Sequence, residues 1–300
     1  MLSKLRRLPI RLGRGLFIAG FHSDQTIRGR FRSWSNNSFC HQENVGAQLP
    51  NFLVIGAAKS GTTSFFDYLG QHPDIFISPV KEPNFFAFSG ESSLDYHISD
   101  IPWVLGSVRN FEDYRGLFSR ANSHNAIGEA SGTYLFHPRA AERIHRFIPD
   151  AKLIAILRNP VDRAYSAWLM HHRRGKEKRP FKEILAMNEQ PTRYYRGSYL
   201  EKGLYCQQLM RYFKYFDRDQ IRIFLYDQLC DDPHSLVQET YSFLGVDSGF
   251  NADLSARHNI APGGYKMPSQ IRAELIERYS EEIESLSGLI GRDLRGWVDV

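Results

Sequence analysis

A short apolar strand, a loop bounded by two glycines and a helix constrain this chain more than any other feature. Residues 52–56 (FLVIG) predict a buried strand, and residues 62–70 predict the helix that follows. Between them, Gly56 and Gly61 have the GxxxxG spacing of a phosphate-binding loop. A turn that opens a helix in this way presents backbone N–H groups and the positive end of the helix dipole to an anion. The segment therefore predicts an anion site on an α/β fold.

The lysine of this loop does not stand where a nucleoside triphosphatase requires it. Such loops place Lys-Ser or Lys-Thr after the second glycine, whereas this chain has Thr62 and Thr63 there and Lys59 before it. The hydroxyls of Ser60, Thr62 and Thr63 add hydrogen-bond donors, and Lys59 adds a mobile positive charge. The loop keeps an anion site but fits a triphosphatase poorly.

Strands and helices alternate along the rest of the chain. Strands are predicted at 75–77, 126–129, 152–157 and 221–226, and helices at 139–147, 161–172, 205–215 and 235–244. This alternation favours a single P-loop-like α/β domain, with a mostly parallel central sheet and helices on both faces. Ligands bind such sheets at the carboxyl ends of the strands, so we expect chemistry in the loops after Ile55 and Leu157.

Basic residues are concentrated at the start of the chain. Residues 1–50 hold eight of the 38 Lys and Arg residues but two of the 33 Asp and Glu residues, so the remainder is close to neutral. We interpret residues 1–46 as a flexible basic arm and residues 47–300 as the folded domain. The arm is either a loosely packed extension or a surface for peripheral membrane or partner contact. The near-neutral domain argues against nucleic acid as a partner.

Cysteine usage and hydropathy bear on the compartment. Three widely separated cysteines fit free thiols in a reducing compartment better than a disulfide framework or a zinc site. Apolar runs near the start are far shorter than the roughly 20 residues of a membrane-spanning helix. We expect a cytoplasmic protein without a bound metal.

A second motif follows the strand at 152–157. Arg158 stands at the strand end, and Asn159 and Pro160 suit the cap and first position of the next helix. Ser166 lies eight residues after Arg158 on that helix. An arginine before a capped helix is commonplace by itself, but its combination with the glycine-bounded loop is specific.

Together the two motifs resemble those of sulfotransferases that use 3′-phosphoadenosine 5′-phosphosulfate (PAPS). In that family Lys-Ser-Gly-Thr-Thr after a strand binds the 5′-phosphosulfate, and Arg-[Asp/Asn]-Pro with a later Ser binds the 3′-phosphate. The resemblance implies that Arg158 and Ser166 bind the 3′-phosphate and that Lys59 stabilises charge on the leaving phosphate oxygen. It implies PAPS as donor substrate without Mg²⁺, because a sulfuryl group carries less charge than a γ-phosphate. The loop residues implied to contact this donor are Lys59, Ser60, Gly61, Thr62 and Thr63.

The resemblance covers residues 51 to about 266, and its nearest group is the heparan-sulfate-type carbohydrate sulfotransferases with their bacterial relatives. Residues 81–86 (KEPNFF) resemble the segment that holds the catalytic carboxylate, which assigns the general base to Glu82. Gly203-Leu204-Tyr205 resembles a Ser-Leu-Tyr helix start and implies that Tyr205 contacts the donor. Golgi members of the group carry a membrane anchor, so we expect this chain to be bacterial.

Two further segments match the group less closely. Residues 128–131 (GEAS) resemble a Glu-Lys-Thr-Pro segment, but Ala130 stands where the heparan-type enzymes have a lysine for the acceptor. Residues 257–266 resemble the late loop that closes over the donor, and imply a 3′-phosphate contact from Arg257 or Lys266, the alternative being an exposed basic loop. The implied acceptor is a hydroxyl or amine on a carbohydrate or glycolipid.

Several assignments stay open at this point. Glu129 is the second candidate for the base, and another branch of the family uses histidine; the available histidines are His72, His97, His124, His137 and His258. The basic run at 173–179 is either a solvated face or a rim that recruits an anionic acceptor. Two other functions use the same features, a P-loop small-molecule kinase or NTPase and a non-catalytic polyanion-binding protein.

Overall fold

The computed structural model describes residues 48–96, 100–121, 123–186, 197–256 and 266–299. Its centre is a sheet of β1 (Phe52–Gly56), β2 (Ile75–Ile77), β3 (Ala126–Ala130), β4 (Lys152–Leu157) and β5 (Ile221–Leu225). The strand order is β2-β3-β1-β4-β5, and all four strand pairs are parallel. The predicted α/β class with a mostly parallel sheet is confirmed.

Helices surround this sheet in the described part of the chain. They are α1 (Thr62–Leu69), α2 (Phe85–Phe88), α3 (Ile101–Leu105), α4 (Phe111–Gly116), α5 (Ala140–Phe147), α6 (Pro160–Arg173), α7 (Phe181–Ala186), α8 (Tyr205–Phe213), α9 (Tyr226–Asp231), α10 (Pro233–Leu244) and α11 (Ser269–Ile290). Short 3-10 helices lie at Ser93–Asp95, Glu201–Gly203, Arg218–Gln220 and Arg295–Trp297.

The apolar residues of the central strands supply two cores, one on each face of the sheet. Along β1, Leu53 and Ile55 belong to one core, while Phe52 and Val54 belong to the other. Side chains alternate between the faces of a strand, so a strand covered on both faces reads as an unbroken apolar run. This is why β1 and β4 were readable from sequence.

Several helices did not follow from the sequence. The segments α2, α3, α4, α7 and α9 have four to six residues, too few to show a helical period, and Tyr226 begins α9 instead of ending β5. Helix α11 is longer, and its buried residues recur at helical spacing: Leu275, Tyr279, Ile283 and Leu286. This spacing could have predicted the helix from the sequence. Helix α11 extends the fold beyond residue 266, where the family resemblance ended.

No helix within the described ranges combines the length and apolarity needed to cross a membrane. The basic arm at 1–46 lies outside those ranges, so its role and the domain boundary beside it stay predictions. The cytoplasmic location also stays a prediction.

Candidate active site

The loop between β1 and α1 turns sharply through two left-handed residues. Lys59 has φ of 75° and Gly61 has φ of 77°. A Cβ on Gly61 would lie 2.7 Å from Leu229 Cδ2 and 3.1 Å from Tyr226 Cε2, so both conformation and space require glycine. Ser60 is fully buried, and its N–H donates to the Ala57 carbonyl at 3.2 Å.

Helix α1 begins without a side-chain cap at this loop. Gly61 occupies the cap position and offers no capping oxygen, so the first-turn N–H groups have no cap from it. Thr62 and Thr63 are half-buried at the helix start, and Thr63 Oγ1 accepts a hydrogen bond from Lys81 Nζ at 2.7 Å. An uncapped N-terminus beside two lysines is suited to hold a phosphate or sulfate group.

The Lys59 ammonium lies among other cations. Within the described residues its hydrogen-bond partner is the Met170 sulfur, a weak acceptor, at 3.6 Å. Burial, followed by the charges of Arg158, Arg174 and Lys81, lowers the pKa of Lys59 from 10.5 to about 8, against the opposing effect of Glu82. A bound anion would relieve this repulsion.

Arg158 connects the end of β4 to the same loop. Its Nη1 donates to the Lys59 carbonyl at 3.2 Å, and its guanidinium lies over the Tyr226 ring, 4.7 Å from the centroid. The Tyr205 hydroxyl donates to the Arg158 carbonyl at 3.0 Å, so Tyr205 fixes the backbone that carries the arginine. A direct contact of Tyr205 with the donor stays a prediction.

Ser166 lies half-buried on α6, the helix that Arg158 precedes. Asn159 caps this helix by accepting from Val161 N at 3.0 Å, as the sequence indicated. Its amide also donates to the Trp297 carbonyl at 2.9 Å, a link to the C-terminal 3-10 helix that the sequence did not reveal.

Glu82 follows β2 and faces the phosphate loop. A cavity is lined by Thr62, Thr63, Phe66, Lys81, Glu82 and Ala130. Glu82 therefore shares a cavity with the first turn of α1, and its charge acts on Lys59. The structure brings together the lysine, the helix start and the carboxylate that came from separate segments of the sequence.

Glu129, the second candidate for the base, directly precedes Ala130, which lines this cavity. It is fully buried and accepts hydrogen bonds from Tyr134 at 2.5 Å, Ser131 at 2.8 Å and Tyr114 at 3.3 Å. Burial raises its pKa to about 7 despite these three donors. A carboxylate without an exposed atom has no direct path to an acceptor, which favours Glu82 as the base.

Of the histidines named from the sequence, the three that the structure describes give no support to a histidine base. His72 Nδ1 accepts from Asp74 N at 3.0 Å, so Nε2 donates to the Asp247 carbonyl at 3.0 Å. His137 is buried, and its Nδ1 accepts from Arg139 N at 3.2 Å. His124 packs against the Phe76 ring, with centroids 5.5 Å apart. His97 and His258 lie outside the described residues.

Sequence reasoning missed two cations near the site. Lys202 precedes Gly203, and its Nζ lies 5.4 Å from the Phe136 ring centroid. Burial, followed by the charge of Arg163, lowers the pKa of Lys202 to about 8, against the opposing charges of Asp100, Glu201 and, least of all, Glu82. Arg163 is fully buried on α6 and donates to the Tyr199 carbonyl. The motif that drew attention to Arg158 and Ser166 includes Arg163 between them, which was the available signal.

The basic run at 173–179 begins at the end of α6 and continues as a turn, and both interpretations, a solvated face and a rim that recruits an acceptor, stay predictions. Its one acidic residue, Glu177, is buried and receives Arg179 Nε at 2.9 Å and Nη2 at 2.7 Å. Arg173, Arg174, Lys176 and Lys178 are exposed. Arg179 therefore neutralises Glu177 within the turn, and the exposed charged side chains of the turn are basic.

Lys266 is exposed at the end of a segment, 257–265, that includes Arg257 and lies outside the described residues. The predicted 3′-phosphate contact from this loop stays a prediction.

Comparison with known proteins identifies the family. The family model described as "Sulfotransferase family" matches residues 50–250. A sulfotransferase from Alicyclobacillus acidocaldarius is 36% identical and superposes with a TM-score of 0.72, over 84% of this chain and 100% of that chain. The sulfotransferase domain from the curacin biosynthetic pathway, 13% identical with a TM-score of 0.51 over 83% of this chain and 100% of that one, supports the fold alone. The chain belongs to the sulfotransferase family.

Curated relatives extend this comparison. The bifunctional heparan sulfate N-deacetylase/N-sulfotransferase 4 of Mus musculus is 31% identical over 229 residues, which are 73% of this chain and 24% of that protein. The membrane-associated sulfotransferase kil1 of Dictyostelium discoideum is 26% identical over 328 residues, covering 82% of this chain and 66% of that protein. The chain therefore spans about a quarter of the length of the first of these relatives.

Proposed function

We propose that this sulfotransferase moves a sulfuryl group from PAPS to a hydroxyl or amine of a carbohydrate or glycolipid. The observation that carries the proposal is the meeting of Lys59, Arg158 and Glu82 around the uncapped start of α1. The heparan sulfate N-sulfotransferase named among the relatives supports a saccharide acceptor. The exposed basic turn at 173–178 supports an acceptor or a surrounding surface that carries negative charge.

Transfer by this site needs a base on one side of sulfur and positive charge on the other. The acceptor oxygen or nitrogen forms a bond to sulfur while the bond from sulfur to the 5′-phosphate oxygen breaks, and that oxygen keeps the electron pair. Glu82 takes the acceptor proton. Lys59 and the N–H groups of α1 stabilise the charge that develops on the phosphate oxygen. The products are the sulfated acceptor and adenosine 3′,5′-bisphosphate.

The donor assignment is tested by isothermal titration of adenosine 3′,5′-bisphosphate, adenosine 5′-monophosphate and ATP with Mg²⁺. We expect metal-independent micromolar binding of the bisphosphate, weakened in Arg158→Ala. Arg222→Ala, which removes a half-exposed arginine on the edge strand β5, is the matched control and should bind like the wild type. Preference for ATP with Mg²⁺ would instead indicate a kinase, and no nucleotide binding would indicate a polyanion-binding protein.

A further inference from the structure

The backbone that carries Glu82 has an unusual conformation. Glu82 has φ of 50° and Asn84 has φ of 55°, both in the left-handed region that L residues rarely adopt. Two such residues within three positions persist only where surrounding contacts hold them. The contacts that hold this turn therefore determine where the Glu82 carboxylate lies.

Those contacts lead to the buried Glu129. The Asn84 amide donates to the Glu82 carbonyl at 2.7 Å, and Asn84 N donates to Ser131 Oγ at 3.1 Å. The Ser131 hydroxyl in turn donates to Glu129 Oε2 at 2.8 Å. Because a hydroxyl has one proton, its donation to Glu129 leaves the oxygen lone pairs for Asn84 N. The Glu82 N–H also donates to the Ala130 carbonyl, next to Glu129, at 3.2 Å.

Glu129 is itself fixed from the other side. Its Oε1 accepts from Tyr134 at 2.5 Å and from Tyr114 on α4 at 3.3 Å. The Tyr134 hydroxyl also accepts from Phe86 N at 3.4 Å, which ties α2 to the same group. A fully buried carboxylate whose two oxygens both accept hydrogen bonds, Oε1 from two tyrosines and Oε2 from Ser131, is a rigid anchor.

We infer that Glu129 is a positioning residue for the reaction: through Ser131 and Asn84 it holds the turn that directs Glu82 toward the phosphate loop. This inference rests on the proposed role of Glu82 as the base. It gives Glu129 a function that is compatible with its complete burial. Ser131 transmits the constraint. The Tyr114 hydroxyl bonds Glu129 and not the turn, while the Tyr114 ring, which a phenylalanine would keep, stacks on Phe85 with centroids 4.4 Å apart.

Ser131→Ala and Tyr114→Phe form a matched pair to test this. Each removes one hydroxyl that donates to Glu129, but only Ser131 is bonded to the Glu82 turn. Turnover is measured with PAPS and a deacetylated chitohexaose probe, which offers both hydroxyls and amines. We expect kcat to fall about a hundredfold in Ser131→Ala, as for a displaced catalytic group, with unchanged bisphosphate affinity. Tyr114→Phe should stay close to the wild type in kcat.

The double variant Ser131→Ala/Glu82→Gln separates positioning from a general loss of stability. If Ser131 acts through Glu82, the double variant is no slower than Glu82→Gln alone, because residues that act as a unit are not additive. The inference would be overturned if the loss of kcat in the double variant were the product of the two single losses. It would also be overturned if Ser131→Ala and Tyr114→Phe lost kcat equally and in step with their melting temperatures.

Hydrogen exchange of the peptide 78–88 gives a readout that needs no acceptor. Exchange there should rise in Ser131→Ala while the α5 and α10 peptides keep the wild-type rate; unchanged exchange at 78–88 would refute the positioning role. A wild-type protein that binds no bisphosphate would count against the proposed function instead, so the two failures are distinguishable.

Discussion

Lys59 should make donor binding dependent on pH in a range where most lysines stay charged. Burial and the charges of Arg158, Arg174 and Lys81 lower its pKa to about 8. Below pH 8 the ammonium is protonated and can bind the 5′-phosphate. Above pH 8 the neutral amine predominates in the free protein, and the attraction is lost. Affinity for adenosine 3′,5′-bisphosphate should therefore fall as the pH rises through 8.

The magnitude follows from this pKa. With a value of about 8, Lys59 is roughly 90% protonated at pH 7 and roughly 10% protonated at pH 9. If only the protonated form binds, Kd rises about tenfold between these pH values, or about 1.4 kcal/mol. The ligand contributes little, because the second pKa of a phosphate monoester is about 6 and both phosphates stay dianionic above pH 7.

Isothermal titration at pH 7, 8 and 9, in buffers of different ionisation enthalpy, measures both the Kd and the number of protons taken up on binding. At pH 9 the wild-type protein should take up close to one proton on binding. Lys59→Arg is the control: the guanidinium stays charged, so its affinity should be flat across this range. A wild-type Kd that does not change with pH, together with no proton uptake, would refute the placement of the phosphate beside Lys59.

Three other substitutions give separate tests. Gly61→Ala should lower the free energy of unfolding in urea by more than the roughly 1–2 kcal/mol that the left-handed conformation costs, because the new methyl group collides with its neighbours. Gly90→Ala is the control: Gly90 has φ of 72° and nothing within 4 Å, so the substitution should cost the conformational part alone. Gly203→Ser should lower the melting temperature, and Tyr279→Phe should recover part of the loss, since the Tyr279 hydroxyl lies 2.8 Å from the added Cβ; no recovery would place the strain elsewhere. Glu82→Gln should reduce kcat by about 10²-fold or more at unchanged bisphosphate affinity, and wild-type turnover would remove Glu82 from the mechanism.

Part of the site was predictable because its residues lie close together in the sequence. The loop from Lys59 to Thr63 is contiguous, and its glycine spacing and hydroxyls carry the chemistry within one turn of chain. Arg158 also stood in a readable place, directly after an apolar strand. Glu82 was different: a Lys-Glu step is common on protein surfaces, and only the family resemblance selected it. Its place at the cavity depends on the neighbouring ends of parallel strands.

The support around Glu129 could not have been predicted in the same way. Tyr114 comes from a helix of six residues, too short to show a period, and reaches Glu129 across 15 positions of sequence. The left-handed turn at Glu82 and Asn84 has no glycine to signal it. Buried polar networks are assembled by tertiary packing, so their members have no common sequence pattern.

Gly203 shows why a departure from a family pattern has to be judged together with remote residues. The family pattern places serine there, and glycine alone would suggest a lost contact. In this chain Tyr279 of α11 packs against the position, and its hydroxyl donates to the Leu200 carbonyl at 2.7 Å. Pro160, which starts α6 beside Arg158, closes the other side, 3.0 Å from where a Cβ would stand. The space for a side chain is thus occupied by a helix outside the matched region, and Gly203 with Tyr279 forms a pair whose members must change together.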